Sequence, residues 1–243
     1  CGILGISTKF DSNSIQGGFN RLLSIEDFKK SVEILEHRGP DGSGQECFVD
    51  AGVFLGHTRL SIQDLSSAGA QPMKSRDEKL VIIFNGEIYN FLKLKAKLHE
   101  LGYVFSSDTD TEVIINLYAE YGIECFSMFD GIFALAIYDR DKDILVIARD
   151  GLGIKPLYYY SDETSFVFSS EIKALEGLLD QSNLSLDKSN INRYLTFQWC
   201  PGEGTPFAEV KMHDPGVVTI ISNGEIISKT SFYQLPIVYQ KNK

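Results

Sequence analysis

Cys1-Gly2-Ile3-Leu4-Gly5-Ile6 opens the chain. The run reads as a buried strand in which two glycines allow close packing, and it begins on a nucleophile. Three readings of Cys1 compete. It marks a cut in a longer chain, it carries the lipid of a mature lipoprotein, or it is a nucleophile whose own α-amine serves as base. A lipid-bearing cysteine is normally followed by a flexible polar stretch, which this apolar run is not. The third reading has sound chemistry, because an unperturbed α-amine titrates at about 7.7–8.0 and is partly neutral near pH 7. Such an amine deprotonates an adjacent thiol without a separate histidine.

The rest of the chain is that of a folded protein. Its 243 residues include 21 Gly and 7 Pro, with 43% hydrophobic residues, which argues against disorder and low complexity. With 23 basic and 33 acidic residues the formal charge is −10, so general nucleic-acid binding, which needs clustered Lys and Arg, is not expected. No apolar run approaches the roughly 20 residues of a membrane helix. Cys1, Cys47, Cys125 and Cys200 are too few and too scattered for a disulfide scaffold, and with no C-x-x-C or Cys/His cluster no metal site is expected. Reduced cysteines fit a cytoplasmic protein.

The pattern is mixed, with hairpins rather than a steady βαβ alternation. Helices are expected over 24–35, capped by Ser24 with Asp27 completing a capping box, over 90–102, capped by Asn90, and over 111–121. Shorter ones are expected over 170–179 and 187–195. Strands are expected over 2–7, 53–57, 80–84, 133–138, 144–148, 157–160, 166–168 and 217–221. The turns at 139–143 and at Asn223-Gly224 read as hairpins. After about residue 180 the chain becomes loop-rich, so residues 1–180 form one expected domain and 181–243 a C-terminal extension with a hairpin.

Several loops hold polar residues that folding alone does not demand. Asn85-Gly86 joins a buried strand to a helix, and Asp108 and Asp110 sit at a helix start. Each has a plain explanation: Asn-Gly is a common turn dipeptide, either Asp is an N-cap, Arg59 is a surface ion pair, and His57 is a satisfied structural histidine. Together with Cys1 they suggest amide chemistry. A thiolate attacking an amide needs donors where the oxyanion develops, and the Asn85 side chain and Gly86 N–H offer two. A free amino acid presents a carboxylate, which suits the fork of Arg59, and an ammonium, which suits Asp110, with Glu87 assisting or orienting the loop.

Nine short strings in order carry a resemblance: Cys-Gly-Ile (1–3), His-Arg-Gly-Pro-Asp (37–41), Arg-Leu-Ser-Ile (59–62), Gly-Ala-Gln-Pro-Met (69–73), Asn-Gly-Glu-Ile-Tyr-Asn (85–90), Asp-Thr-Glu-Val-Ile (110–114), Phe-Asp-Gly-Ile-Phe-Ala (129–134), Arg-Asp-Gly-Leu-Gly-Ile-Lys-Pro-Leu-Tyr (149–158) and Phe-Ser-Ser-Glu-Ile-Lys-Ala-Leu (168–175). They resemble the class II, N-terminal-nucleophile glutamine amidotransferase domain of the asparagine synthetase family. Asp214-Pro215-Gly216 is a weaker echo of the hairpin that precedes that family's second domain. The resemblance implies an α+β sandwich of two antiparallel sheets between helical layers. It implies hydrolysis of L-glutamine to glutamate and ammonia through a γ-glutamyl thioester on Cys1. Asn85 and Gly86 would form the oxyanion hole, Arg59 would bind the substrate carboxylate, and Asp110 and Glu87 would hold the α-amine. Arg38 would shape the site.

One departure matters: no Ser-Gly-Gly-x-Asp-Ser pyrophosphate loop occurs. The chain is therefore expected to be the ammonia-producing half only, with ATP and Mg confined to a missing synthetase domain or partner subunit. Homodimer formation and the ammonia acceptor are left open. Two other readings stand beside this one: a catalytically idle glutamine-binding or docking module, and an N-terminal-nucleophile amidase with a different substrate.

Overall fold

The computed structural model describes residues 1–9, 24–179 and 184–235. The polar tail at 239–243 and the first residues of the 181–190 loop lie outside them. Among the described residues, twelve strands run in chain order as β1 (Gly2–Thr8), β2 (Gly42–Phe48), β3 (Val53–Arg59), β4 (Met73–Lys74), β5 (Leu80–Ile88), β6 (Gly131–Asp139), β7 (Ile144–Arg149), β8 (Tyr158–Ser161), β9 (Ser165–Ser169), β10 (Val210–Met212), β11 (Val217–Ser222) and β12 (Glu225–Ser231). The α-helices among those residues are α1 (Ile25–Glu33), α2 (Phe91–Glu100), α3 (Asp110–Tyr121), α4 (Ile172–Glu176) and α5 (Lys188–Phe197).

The strands form two six-stranded sheets, ordered β10-β8-β9-β1-β3-β2 and β12-β11-β7-β6-β5-β4, with every adjacent pair antiparallel. Three apolar layers show how they stack. Ile3, Leu55, Val81, Ile83, Ala136 and Phe168 meet between the sheets. Phe28 and Val32 of α1 and Ala174 of α4 cover the outer face of the first sheet at Leu4 and Phe54. Leu94 and Leu98 of α2 and Ile114 and Leu117 of α3 cover the second at Ile82 and Phe84. The expected α+β sandwich, two antiparallel sheets between helical layers, is the observed fold.

Local chemistry accounts for most element ends. Ser24 and Asp27 make the capping box of α1. The N-cap of α3 is neither Asp108 nor Asp110 but Thr109, whose hydroxyl accepts from Glu112 N at 3.3 Å; Asp110 is the first helical residue. Asn90 precedes α2 without capping it, because its side chain donates to Met128 O at 2.9 Å and accepts from Asp130 N at 3.1 Å. The helix expected over 170–179 shortens to α4. Polar, half-exposed β2 at the sheet edge and the short β4 and β10 carry no clear apolar alternation, and the sequence reading missed them. The Asn85-Gly86 turn is also corrected, since β5 runs straight through it to Ile88. Gly86 is there for space: a Cβ would lie 2.3 Å from Ile132 O on β6.

The described part of the 181–243 segment, residues 184–235, is built into the sandwich. β10 pairs with β8 and β11 with β7. Val210, Val218 and Ile221 enter the three apolar layers, one each.

Candidate active site

Strand alternation gathers the site. Ile3, Val53, Leu55, Val81 and Ile83 face the layer between the sheets, and side chains alternate with a period of two. Cys1, Arg59, Asn85 and Glu87 have the same parity, so they continue that inner face to one end of the sandwich, where core gives way to a cleft. Cys1, Arg59, Gly86, Glu87 and Asp110 line the cleft together, with α3 contributing its first residue. Asn85 is not on its wall. It lies behind, 2% exposed, with its amide nitrogen unpartnered.

The thiol of Cys1 is held by one backbone unit that sequence reasoning did not single out: Leu60 N–H points at Sγ from 3.3 Å, and Sγ lies 3.6 Å from Leu60 O. Burial lowers the α-amine from its ordinary 8.0 to about 6, and the positive charges of Arg38 and Lys155 add to the effect. Roughly nine-tenths of such an amine is neutral at pH 7. Arg38 also donates through Nε to Cys1 O at 2.9 Å and pairs with Glu171 at 3.0 Å. Burial alone would raise the Glu171 carboxyl, but hydrogen bonds from Arg38, His37 and Lys173 outweigh it and bring it down to about 2. Burial pushes the other thiols the opposite way: Cys47 up to about 11, and Cys125 and Cys200 upward as well. The larger hollow of about 690 Å³ at the far end of β5, lined by Cys47, Phe48 and Arg140 among others, therefore offers no activated nucleophile.

Arg59 is not a surface ion pair. Its guanidinium donates to Ser66 O at 2.7 Å and to Asp64 O, so the 64–66 loop fixes its direction. Gln63 donates to Glu87 and accepts from Asp110 N at 3.3 Å, which joins the two carboxylate residues. Asp110 Oδ2 accepts from Ile88 N at 2.9 Å. Burial pushes the Asp110 carboxyl up to about 7, with the Glu87 charge adding and the Ile88 N–H opposing. An incoming ammonium would favour its ionised form.

His57, read from the sequence as a satisfied structural residue, is only half satisfied. It is wholly buried, Nε2 lies 3.1 Å from Phe84 O, and Nδ1 has no partner. Gln71, inside a string that drew notice only for its resemblance, accepts from Phe84 N at 2.6 Å. Neither contact has a local sequence signal.

A neutral amine beside a thiol, buried amide donors and a paired cation and carboxylates equip the cleft for acyl transfer from a small amino acid amide. Residues 1–233 match the family described as a glutamine amidotransferase domain. Over 205 residues the chain is 41% identical to asparagine synthetase [glutamine-hydrolyzing] 1 of Bacillus subtilis (strain 168), covering 84% of this chain and 32% of the relative. Over 209 residues it is 39% identical to putative asparagine synthetase [glutamine-hydrolyzing] 2 of Methanocaldococcus jannaschii, covering 79% and 37%. The chain thus spans about a third of the length of these relatives. The solved glutamine phosphoribosylpyrophosphate amidotransferase of B. subtilis superposes with a TM-score of 0.66 at 19% identity, over 96% of this chain and 49% of that one, a likeness of fold.

Proposed function

Because the chain belongs to the glutamine amidotransferase domain family, we propose that it hydrolyses the side-chain amide of L-glutamine on Cys1 and supplies the ammonia to an amidation. The observation that supports this most is the pairing of the Cys1 thiol, hydrogen-bonded by Leu60 N–H, with an α-amine brought to about 6. The Sγ proton passes to the amine as sulfur attacks the amide carbon. Gly86 N–H receives the oxyanion, joined by the Asn85 amide once it turns from behind the wall into the cleft, each donor worth roughly 3–4 kcal/mol of barrier. The ammonium returns its proton to the departing ammonia and leaves a γ-glutamyl thioester. Water, deprotonated by the same amine, then releases glutamate. Arg59 holds the α-carboxylate, and Asp110 and Glu87 hold the α-ammonium.

The relatives' names point to aspartate as the ammonia acceptor. The ATP- and Mg-dependent step then belongs to a further domain or subunit, in a cytoplasmic setting. Glutamate release measured with the wild-type chain and with Cys1→Ala tests the reading: loss of release in the variant is expected. Undiminished release from Cys1→Ala would refute it, and tight glutamine binding without release by the wild type would make the chain a sensor.

A further inference from the structure

The open side of β5 is a row of backbone groups that outlasts its partner strand. Ile82 pairs with Met73, and every second residue presents its N–H and C=O to the same side. Phe84, Gly86 and Ile88 therefore face where a longer β4 would lie. On the other side, Phe133 turns its own N–H and C=O to Asp150, at 3.2 and 2.8 Å, so it does not engage Gly86. Side chains replace the missing strand. Gln71 Oε1 takes Phe84 N–H at 2.6 Å, His57 Nε2 donates to Phe84 O at 3.1 Å, and Asp110 takes Ile88 N–H at 2.9 Å. Of the N–H donors of these three residues, Gly86 N–H alone is left facing the cleft. Gln71 Nε2 also donates to Thr111 Oγ1 at 3.2 Å and so ties this strand to the start of α3.

Resting on the glutaminase reading, we infer that His57 and Gln71 are positioning residues of the oxyanion hole. They grip the two peptide groups that flank Phe84, so that the next peptide aims Gly86 N–H before substrate arrives. The choice of His57 supports this. Its neighbours on the inner face of β3 are Val53 and Leu55, and a buried imidazole with one nitrogen unpartnered costs stability that a leucine would not. A leucine cannot donate to Phe84 O. Burial holds His57 down at about 3, so it is a neutral donor at working pH.

The test compares His57→Leu, which removes the donor, His57→Gln, which places an amide N–H near the Nε2 position, and Gln71→Met, which keeps shape without the acceptor. His57→Leu and Gln71→Met should lower kcat about 10–100-fold, less than outright loss of a donor, with KM changed less than about 3-fold. His57→Gln should restore kcat to within about 5-fold. The affinity of L-glutamate γ-semialdehyde, whose adduct with Cys1 carries the oxyanion, should fall in parallel with kcat, while L-glutamate binding stays constant. If His57→Leu does not fold, Gln71→Met and His57→Gln carry the same contrast. Turnover that is lost in Cys1→Ala but unchanged in Gln71→Met and His57→Leu overturns the positioning role and leaves the glutaminase reading intact. A His57→Gln as slow as His57→Leu, or a loss confined to KM and glutamate affinity, overturns it too. Wild-type protein that releases no glutamate overturns both.

Discussion

Arg38 acts on Cys1 in two ways, through its hydrogen bond to the carbonyl and through its charge on the amine. The amine is the base only when neutral, so the acid limb of kcat, measured with Asp110 already ionised against the bound ammonium, should fall near pH 6, its lowered value. By contrast, kcat/KM also needs Asp110 ionised in the free protein and should fall nearer pH 7. Burial is the larger cause of the lowered amine and Arg38 the next. Removing the guanidinium favours the ammonium form and raises the amine pKa. Arg38→Met should therefore move the acid limb of kcat upward, toward the ordinary 8.0, with rates converging on the wild type above that limb. A limb that stays in place would mean that some other group titrates there. Glu171, brought down to about 2, keeps its charge through this range and holds Arg38 in position across it.

At the scale of the element, β5 carries the core and the chemistry on one face, with Val81 and Ile83 leading to Asn85 and Glu87. Gly86 sits between the last two on the opposite face, against β6. Gly86→Ala would drive a methyl to 2.3 Å from Ile132 O, a backbone atom that moves only with its strand. The variant should be destabilised by about 1–3 kcal/mol, a fall in Tm of about 2–4 °C per kcal/mol at this chain length, and should lose most of its turnover. An unchanged Tm would show that β5 and β6 part more easily than their pairing suggests. Much of this strand was legible beforehand, because Ile82–Phe84 is plainly apolar and Asn85-Gly86-Glu87 stands in a distinctive string. The turn reading of Asn85-Gly86 fails because glycine here supplies an absent side chain beside Ile132 O, not backbone freedom. Leu60 and Gln71 carry no sequence signal of a role, and His57 reads as structural, for a different reason. Their contributions are a backbone N–H and side-chain contacts to the backbone of another strand, and neither kind of contact prints a residue type at the receiving end.

For the whole molecule, the late segment is the informative one. The sequence reading made 181–243 an extension, whereas β10 and β11 pair with strands of both sheets and feed all three apolar layers. A chain cut after Leu179 would bare the edge of β7 beside Leu145 and Ala148, buried at 1% and 0% exposure. Such a chain should show no cooperative thermal transition and no glutamine hydrolysis. A folded, active 1–179 fragment would reduce the hairpin to an accessory. The place of β1 has a further consequence, in the order of events during synthesis. β1 lies between β3 and β9, and Ile3 N–H donates to the Ser170 hydroxyl, while Arg38 reaches Cys1 braced on Glu171. The first of the described strands is thus completed by one of the later ones. Pairings this distant in sequence form slowly, and a chain not yet translated through Glu171 carries its thiol without the brace that holds Arg38 against Cys1. The surroundings of the nucleophile are completed only by segments made late in the sandwich.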